Sequence, residues 1–292
     1  MATNILAQNL GKTDIVEQDD ILVGPLLTPT NSAKHLGAGS IHDDATAQKL
    51  GFRGGTVAGS LHMEQFPPIA TRIFGDEWWQ SGGLSLYFRY ATADLEPVRC
   101  FAKAAPQADG NIRKANTWME DDADHLVAEG TINVGGFDPE SPLRLRIRDT
   151  PAPEDIRILD HVKVGSRSDA IPVRVEAKHV ADRLAVITAP MDVYNQTPAA
   201  LPPSLFVRIM RPAESVILPR HDDIGVGLFG AIEIQHLSGP VHADTDYDCT
   251  ATVLALGETP KTEYLWYETR LTDKSGKDVA GMLMMLRFMK AS

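Results

Sequence analysis

The sequence predicts an α+β protein built from two pseudo-repeated halves, each an antiparallel sheet wrapped around one central helix. Three observations carry this expectation. A helix candidate followed by hairpin-connected strands occurs twice, which indicates an antiparallel layer and not a doubly wound sheet. A spacing pattern also recurs: Trp118-x-Glu120, a charged turn and Val127-Ala128 are matched by Trp266-x-Glu268, a turn and Val279-Ala280. Between the two blocks lies Asp138–Asp155, with four prolines in an otherwise charged segment.

The elements follow in order. Met1–Lys12 lacks the basic start and apolar block of a signal peptide, and residues 1–18 read as a mobile arm. The first half is expected over 19–137. Within it, Ile41–Phe66 reads as a polar turn, a short helix, a glycine-rich loop and the start of a longer helix. That helix candidate, Ser60–Phe74, contains Pro67 and Pro68, which should kink or interrupt it. Leu84–Ala104 alternates apolar and polar residues, as one or two strands. After a turn at Asp109–Asn111, Lys114–Val134 reads as a hairpin. A linker is expected over 138–155 and the second half over 156–292. There, Pro203–Val216 is the helix candidate, starting after a double proline and containing Pro212. Ala231–Leu256 and Thr262–Met289 supply the strands, with Asp273–Lys277 as a turn.

Composition narrows the function classes. A net charge of −11, from 28 basic and 39 acidic residues, argues against nonspecific binding to nucleic acid or to an anionic membrane. The two cysteines, Cys100 and Cys249, are too few for a disulfide framework, so a reducing cytoplasm is the expected compartment. No apolar run reaches membrane-spanning length. No His or Cys cluster has zinc spacing, there is no Walker loop, and no cofactor or metal is called for.

Residues 41–66 are the densest in chemistry. Gly54, Gly55 and Gly59 precede a helix, and a helix start offers unpaired N–H groups to a carbonyl oxygen or an anion. His42 lies just upstream as a candidate acid or base. This stretch resembles the MaoC-like hotdog family of enoyl-thioester hydratases and dehydratases, and the complete chain resembles a double-hotdog member. Ile41-His42, a short Ala-containing helix, Gly51-Phe52, the Gly54–Gly59 loop and the strand Leu84–Tyr90 all fall in the family's order. The second half matches in architecture and spacing, with little motif content.

The resemblance implies a His and an Asp sharing one water, with a helix-start N–H on the enolate oxygen. His42 fits the first role and the N–H groups near Gly59 the last. The family's Asp, five residues before the His, is replaced by Gly37. Gly39 and Ser40 stand where Asn and Pro are usual, and Ala58 replaces a His that commonly precedes the loop's last glycine. The standard acid–base pair is therefore incomplete.

Several residues are candidates for the vacant role. Asp43 and Asp44 follow His42 and also suit helix N-capping. Glu64 on the central helix resembles the carboxylate of hotdog thioesterases, and His62, two residues earlier and pointing elsewhere on that helix, is a candidate for substrate binding. His35 and Asn31 could line the pocket from a loop over it. Gly55 and Gly59 are candidate oxyanion ligands, and Arg53 and Arg89 candidate partners for phosphate or carboxylate. Arg208 is unexpected on a central helix.

The expected catalytic set is thus His42, Glu64 and Asp44. The expected function is addition or elimination of water at an α,β-unsaturated or β-hydroxy acyl thioester of the CoA type, or at a related carbonyl compound. Two alternatives stand beside it. One is other hotdog chemistry, such as proton-transfer isomerisation, elimination on a non-CoA substrate, or thioester hydrolysis through Glu64. The other is a non-catalytic binding or scaffold subunit. The partner expected is a small acyl or carbonyl molecule. Two hotdog halves already supply the pairing that single-hotdog proteins obtain by dimerising, and a further homodimer is compatible with this.

Overall fold

The computed structural model describes residues 14–32, 40–219 and 225–290. Among these residues twelve strands form one antiparallel sheet. The first half supplies β1 (Val16–Gln18), β2 (Ile21–Leu27), β3 (Gly83–Phe88), β4 (Val98–Lys103), β5 (Gln107–Asp109), β6 (Ile112–Asp121) and β7 (Leu126–Val134). The second supplies β8 (Ile171–Val173), β9 (Gly227–His236), β10 (Tyr247–Glu258), β11 (Thr262–Thr272) and β12 (Asp278–Met289). Their spatial order is β1-β2-β4-β6-β7-β3-β9-β12-β11-β10-β8, with β5 beside β6. Read outward from the β3–β9 seam, the two sides repeat each other. At the seam Leu84 pairs with Ile234 while Leu86 pairs with Ile232, the exchange expected of two equivalent strands around a pseudo-twofold axis.

Val16–Gln18, expected within an arm over 1–18, pairs with β2, and residues 1–13 of that arm lie outside the described residues. The hairpins fall where alternation placed them. Asp273 closes the β11–β12 turn through its carboxylate, which accepts from the Ser275 and Lys277 amides, and Gly276 supplies a positive φ of 86°.

The prolines interrupt both helix candidates. A helix running on from Gly59 would need an amide at Pro67 to bond residue 63, and proline has none. So α2 (Gly59–Met63) ends, and α3 (Pro67–Phe74) restarts with Pro67 at its first position, where a missing N–H costs nothing. The second candidate divides at Pro212 into α7 (Pro203–Met210) and α8 (Glu214–Ile217). The short helix after His42 is α1 (Asp44–Lys49), capped by Asp43, whose carboxylate accepts from the Thr46 amide at 2.9 Å. A further helix, α4 (Glu77–Ser81), leads into β3.

The segment expected as a linker carries a docked helix, α5 (Pro142–Arg148). Ser141 caps it and also donates to Glu233 on β9 at 2.6 Å, and Arg144 reaches the same carboxylate at 3.1 Å. Leu143 completes a small apolar cluster with Trp266 and Leu283 on the outer face of the sheet. The helix α6 (Ala177–Leu184) follows in the second half. The inner face is one continuous core shared by both halves, in which α2 and α7 pack together and Met63, Phe66, Leu84, Phe206 and Ile232 are sealed from solvent. Each such side chain stabilises the fold by about 1.5–3 kcal/mol. Among the described residues no helix is long and apolar enough to cross a membrane, and no group of His, Cys, Asp and Glu is placed to hold a metal ion.

Candidate active site

His42 sits in the turn ahead of α1, held by several hydrogen bonds. Its Nδ1 lies 2.7 Å from the Thr56 carbonyl. A carbonyl only accepts, so Nδ1 carries the proton and Nε2 keeps a lone pair. The His42 amide donates to Ser40 Oγ at 3.2 Å, and Asn31 Nδ2 donates to the His42 carbonyl at 2.8 Å. Burial lowers the His42 pKa below the usual imidazole value, and the bond to Thr56 offsets part of that. The ring is therefore neutral at pH 7 and able to accept a proton.

The glycine loop passes directly behind this residue. A Cβ on Gly55 would come within 2.4 Å of the His42 carbonyl oxygen. The Gly55 amide donates to Asp44 Oδ1 at 2.8 Å. Two expectations are corrected here. Gly55 serves close backbone approach and not ligand binding, since its N–H is already taken. Asp44 braces the loop and does not line the cleft that His42 faces. Asn31 is likewise a support for the His42 backbone. His35 and Gly37 lie outside the described residues.

Gly59 opens α2. A Cβ there would fall 2.6 Å from the Phe88 ring. Its amide has no hydrogen-bond acceptor among the described residues, as the geometry of a helix start requires. His42 and Gly59 line one cleft of about 190 Å³, with Phe52, Val57 and Phe88 from the first half and Leu228 and Phe229 from the second. His62 lines it too. The His62 ring is buried, with Nε2 2.7 Å from Thr92 Oγ1 and Nδ1 3.5 Å from the Gln65 amide. Burial drops its pKa to about 4, so it is a neutral polar wall.

Glu64 is the largest departure from expectation. Two residues along a helix turn the side chain by about 200°, so the helix that aims His62 at the cleft aims Glu64 away from it. Its carboxylate accepts from Arg183 Nε at 2.9 Å, lies 2.7 Å from Arg183 Nη2, and accepts from Ser204 Oγ at the start of α7. Arg183 also donates to Ser32 at 2.8 Å. Burial raises the Glu64 pKa, with Arg183 acting against that. This enclosed carboxylate stitches the halves together and does not line the cleft. Among the described residues no Asp or Glu lines the cleft.

Arginines gather at the cleft edge. Arg89 lines it and pairs with Glu129 at 2.8 Å. Arg287, from β12, also lines it and donates to the Tyr87 hydroxyl. Arg146 on α5 lies 4.3 Å from the centre of the same Tyr87 ring. Arg53 does not line the cleft. It pairs with Glu96 at 2.8 Å and lies 5.0 Å above Tyr90. Arg208 is on the exposed face of α7.

Among the described residues the second half shows no counterpart of this site. Where α2 begins with a glycine amide, α7 begins with Pro203 after Pro202, and neither has an N–H to offer. Beside it His236 packs edge-on against Phe206, with ring centres 5.2 Å apart, and against Trp78 at 5.8 Å. The residues that sequence reasoning missed, Phe229 and Arg287 above all, arrive through the β3–β9 and β9–β12 pairings. No local motif marks them.

The chain resembles several solved structures over nearly its complete length. A protein described as a MaoC domain dehydratase, from Chloroflexus aurantiacus, shares 13% identity, with 97% of this chain and 99% of that one covered at a TM-score of 0.67. A conserved Mycobacterium tuberculosis protein with a double hotdog fold shares 12% identity over 97% and 98%, at 0.60. A MaoC-like dehydratase shares 13% over 96% and 99%, at 0.55. The fold is thus the double hotdog, the architecture of the MaoC-like dehydratases. At these identities the likeness is one of fold. No protein-family model matches the chain, and no curated protein matches it in sequence.

Proposed function

We propose that the protein is a hydratase/dehydratase-like lyase acting on an α,β-unsaturated or β-hydroxy acyl thioester. The observation that carries this reading is the tautomer of His42. Thr56 holds the proton on Nδ1 and leaves the lone pair on Nε2, and His42 and Gly59 line the same cleft. In the hydration direction Nε2 takes a proton from water as its oxygen bonds to the β-carbon. The double-bond electrons move toward the thioester oxygen, which the Gly59 N–H stabilises, and the proton returns from His42 to the α-carbon. The arginines at the cleft edge suit the phosphates of a CoA-type carrier.

The test is the loss of enoyl absorbance on incubation with but-2-enoyl-CoA. His42→Ala should lower kcat by about 10²–10⁴-fold. An unchanged rate in that variant would remove His42 from the mechanism. One observation favours a second reading: no carboxylate faces His42 in the cleft among the described residues, and a single base suffices to move a proton between two carbons. Deuterium uptake from heavy water into a 3-enoyl or 2-enoyl thioester, without water addition, would mark the protein as an isomerase.

A further inference from the structure

The start of β9 breaks the alternation of its strand. Ala231 pairs with Met285 on β12, but the next pair is Phe229 with Leu286, so Gly230 is an extra residue. Such a bulge turns the side chain before it to the other face of the sheet. Ala231 lies in the outer cluster with Leu143 and Trp266, where strict alternation would also send Phe229. Phe229 instead packs against the inner core and lines the cleft.

Behind this ring stands a polar group that the chemistry of His42 leaves unused. The Arg211 guanidinium lies 5.1 Å from the centre of the Phe229 ring. Arg211 is locked by two bonds to Glu214, at 2.8 and 2.5 Å, and the buried Tyr267 hydroxyl donates to the same carboxylate. Glu214 neutralises Arg211, so the group binds no anion. What it provides is a stiff cationic backing for one aromatic face. The cleft in front, about 190 Å³, is smaller than the about 300–1,000 Å³ usual for drug-sized ligands.

We propose that Phe229 limits this cleft to short acyl chains and that Arg211 is the positioning residue that holds it there. The inference rests on the acyl-thioester reading above and adds the length of chain that the site takes. An aromatic wall fixed by a bulge on one side and a clamped guanidinium on the other has no cheap way to move aside for a longer tail.

Calorimetric binding of butanoyl-CoA and octanoyl-CoA tests this without requiring turnover. The wild type is expected to bind the four-carbon chain at least about tenfold more tightly. Phe229→Ala should abolish or invert that preference, Arg211→Met should weaken it, and Phe229→Leu should keep most of it. Equal binding of both chains by the wild type, or a Phe229→Ala variant with the wild-type ratio and an intact melting curve, overturns the proposal. Binding of neither ligand overturns it together with the acyl reading. If butanoyl-CoA binds in preference to octanoyl-CoA and but-2-enoyl-CoA is not turned over, the catalytic reading fails and this one stands. If turnover depends on His42 and chain length makes no difference, the reverse holds.

Discussion

Replacing Arg183 by Met puts a number on the seam between the halves. Glu64 is 1% exposed, and in this variant its carboxylate would keep only Ser204 as a side-chain partner. Removing one member of a buried pair costs about 3–5 kcal/mol, because the charge left behind is uncompensated. With about 2.1 cal/mol/K of unfolding entropy per residue over 292 residues, 1 kcal/mol moves Tm by under about 2 °C, so the expected drop is about 5–8 °C. Glu64→Leu combined with Arg183→Met removes both charges and should recover most of it. Thermal melting followed by circular dichroism measures all three proteins. Below the melting range, the rate with but-2-enoyl-CoA should stay within about twofold of wild type, since neither residue touches the cleft. A Tm within 1 °C of wild type would refute the account of the pair. A large loss of kcat at unchanged Tm would return Glu64 to the chemistry.

Three further outcomes are expected. Because burial keeps His42 neutral to below the usual imidazole pKa, kcat/KM should hold as pH falls through about 6.5 and decline only lower; a decline centred above 7 contradicts this. His62 and His236 both have folded pKa values of about 4, beneath the unfolded value of about 6.5, so the unfolded chain takes protons first. Stability should therefore be complete above about pH 6.5 and fall on acidification toward 4, by up to about 3 kcal/mol for each ring. Urea midpoints at pH 7 and pH 5 measure this, and His236→Phe should flatten the dependence. Gly59→Ala places a Cβ against the Phe88 ring and should cost about 1–3 kcal/mol together with at least tenfold in kcat; an unaltered rate would remove the α2 amide from the mechanism.

The local features were legible in the sequence, and the tertiary ones were not. Alternation and turn chemistry placed the β6–β7 and β11–β12 hairpins, because both signals depend on neighbours within a few residues. Pro67 and Pro212 marked the helix breaks for the same reason. The roles of Asp44 and Glu64 depended on partners far away. Asp44 turns to an amide eleven residues on, and Glu64 meets an arginine 119 residues on. A carboxylate near a histidine looks the same in sequence whether it faces a cleft or a guanidinium. Phe229 was invisible because its direction comes from one extra residue in a β-ladder. The docking of α5 was hidden by the four prolines in and around it and by its charge, which read as a loose connection until Ser141 and Arg144 meet Glu233.

The double proline that opens α7 has a consequence for how the molecule saturates. Two identical hotdog subunits would present two equal oxyanion sites related by the twofold axis. Here α7 opens on Pro203, which has no N–H to offer where α2 has that of Gly59, while β9 of the second half walls the cleft of the first. Ligand titration should accordingly reach a stoichiometry of one per chain with a hyperbolic curve, and a two-site or sigmoidal isotherm would mean that the second half binds as well. Fusing the halves lets one of them give up binding and become the wall of its neighbour's site, a division of labour closed to a symmetric dimer, in which every substitution is made twice.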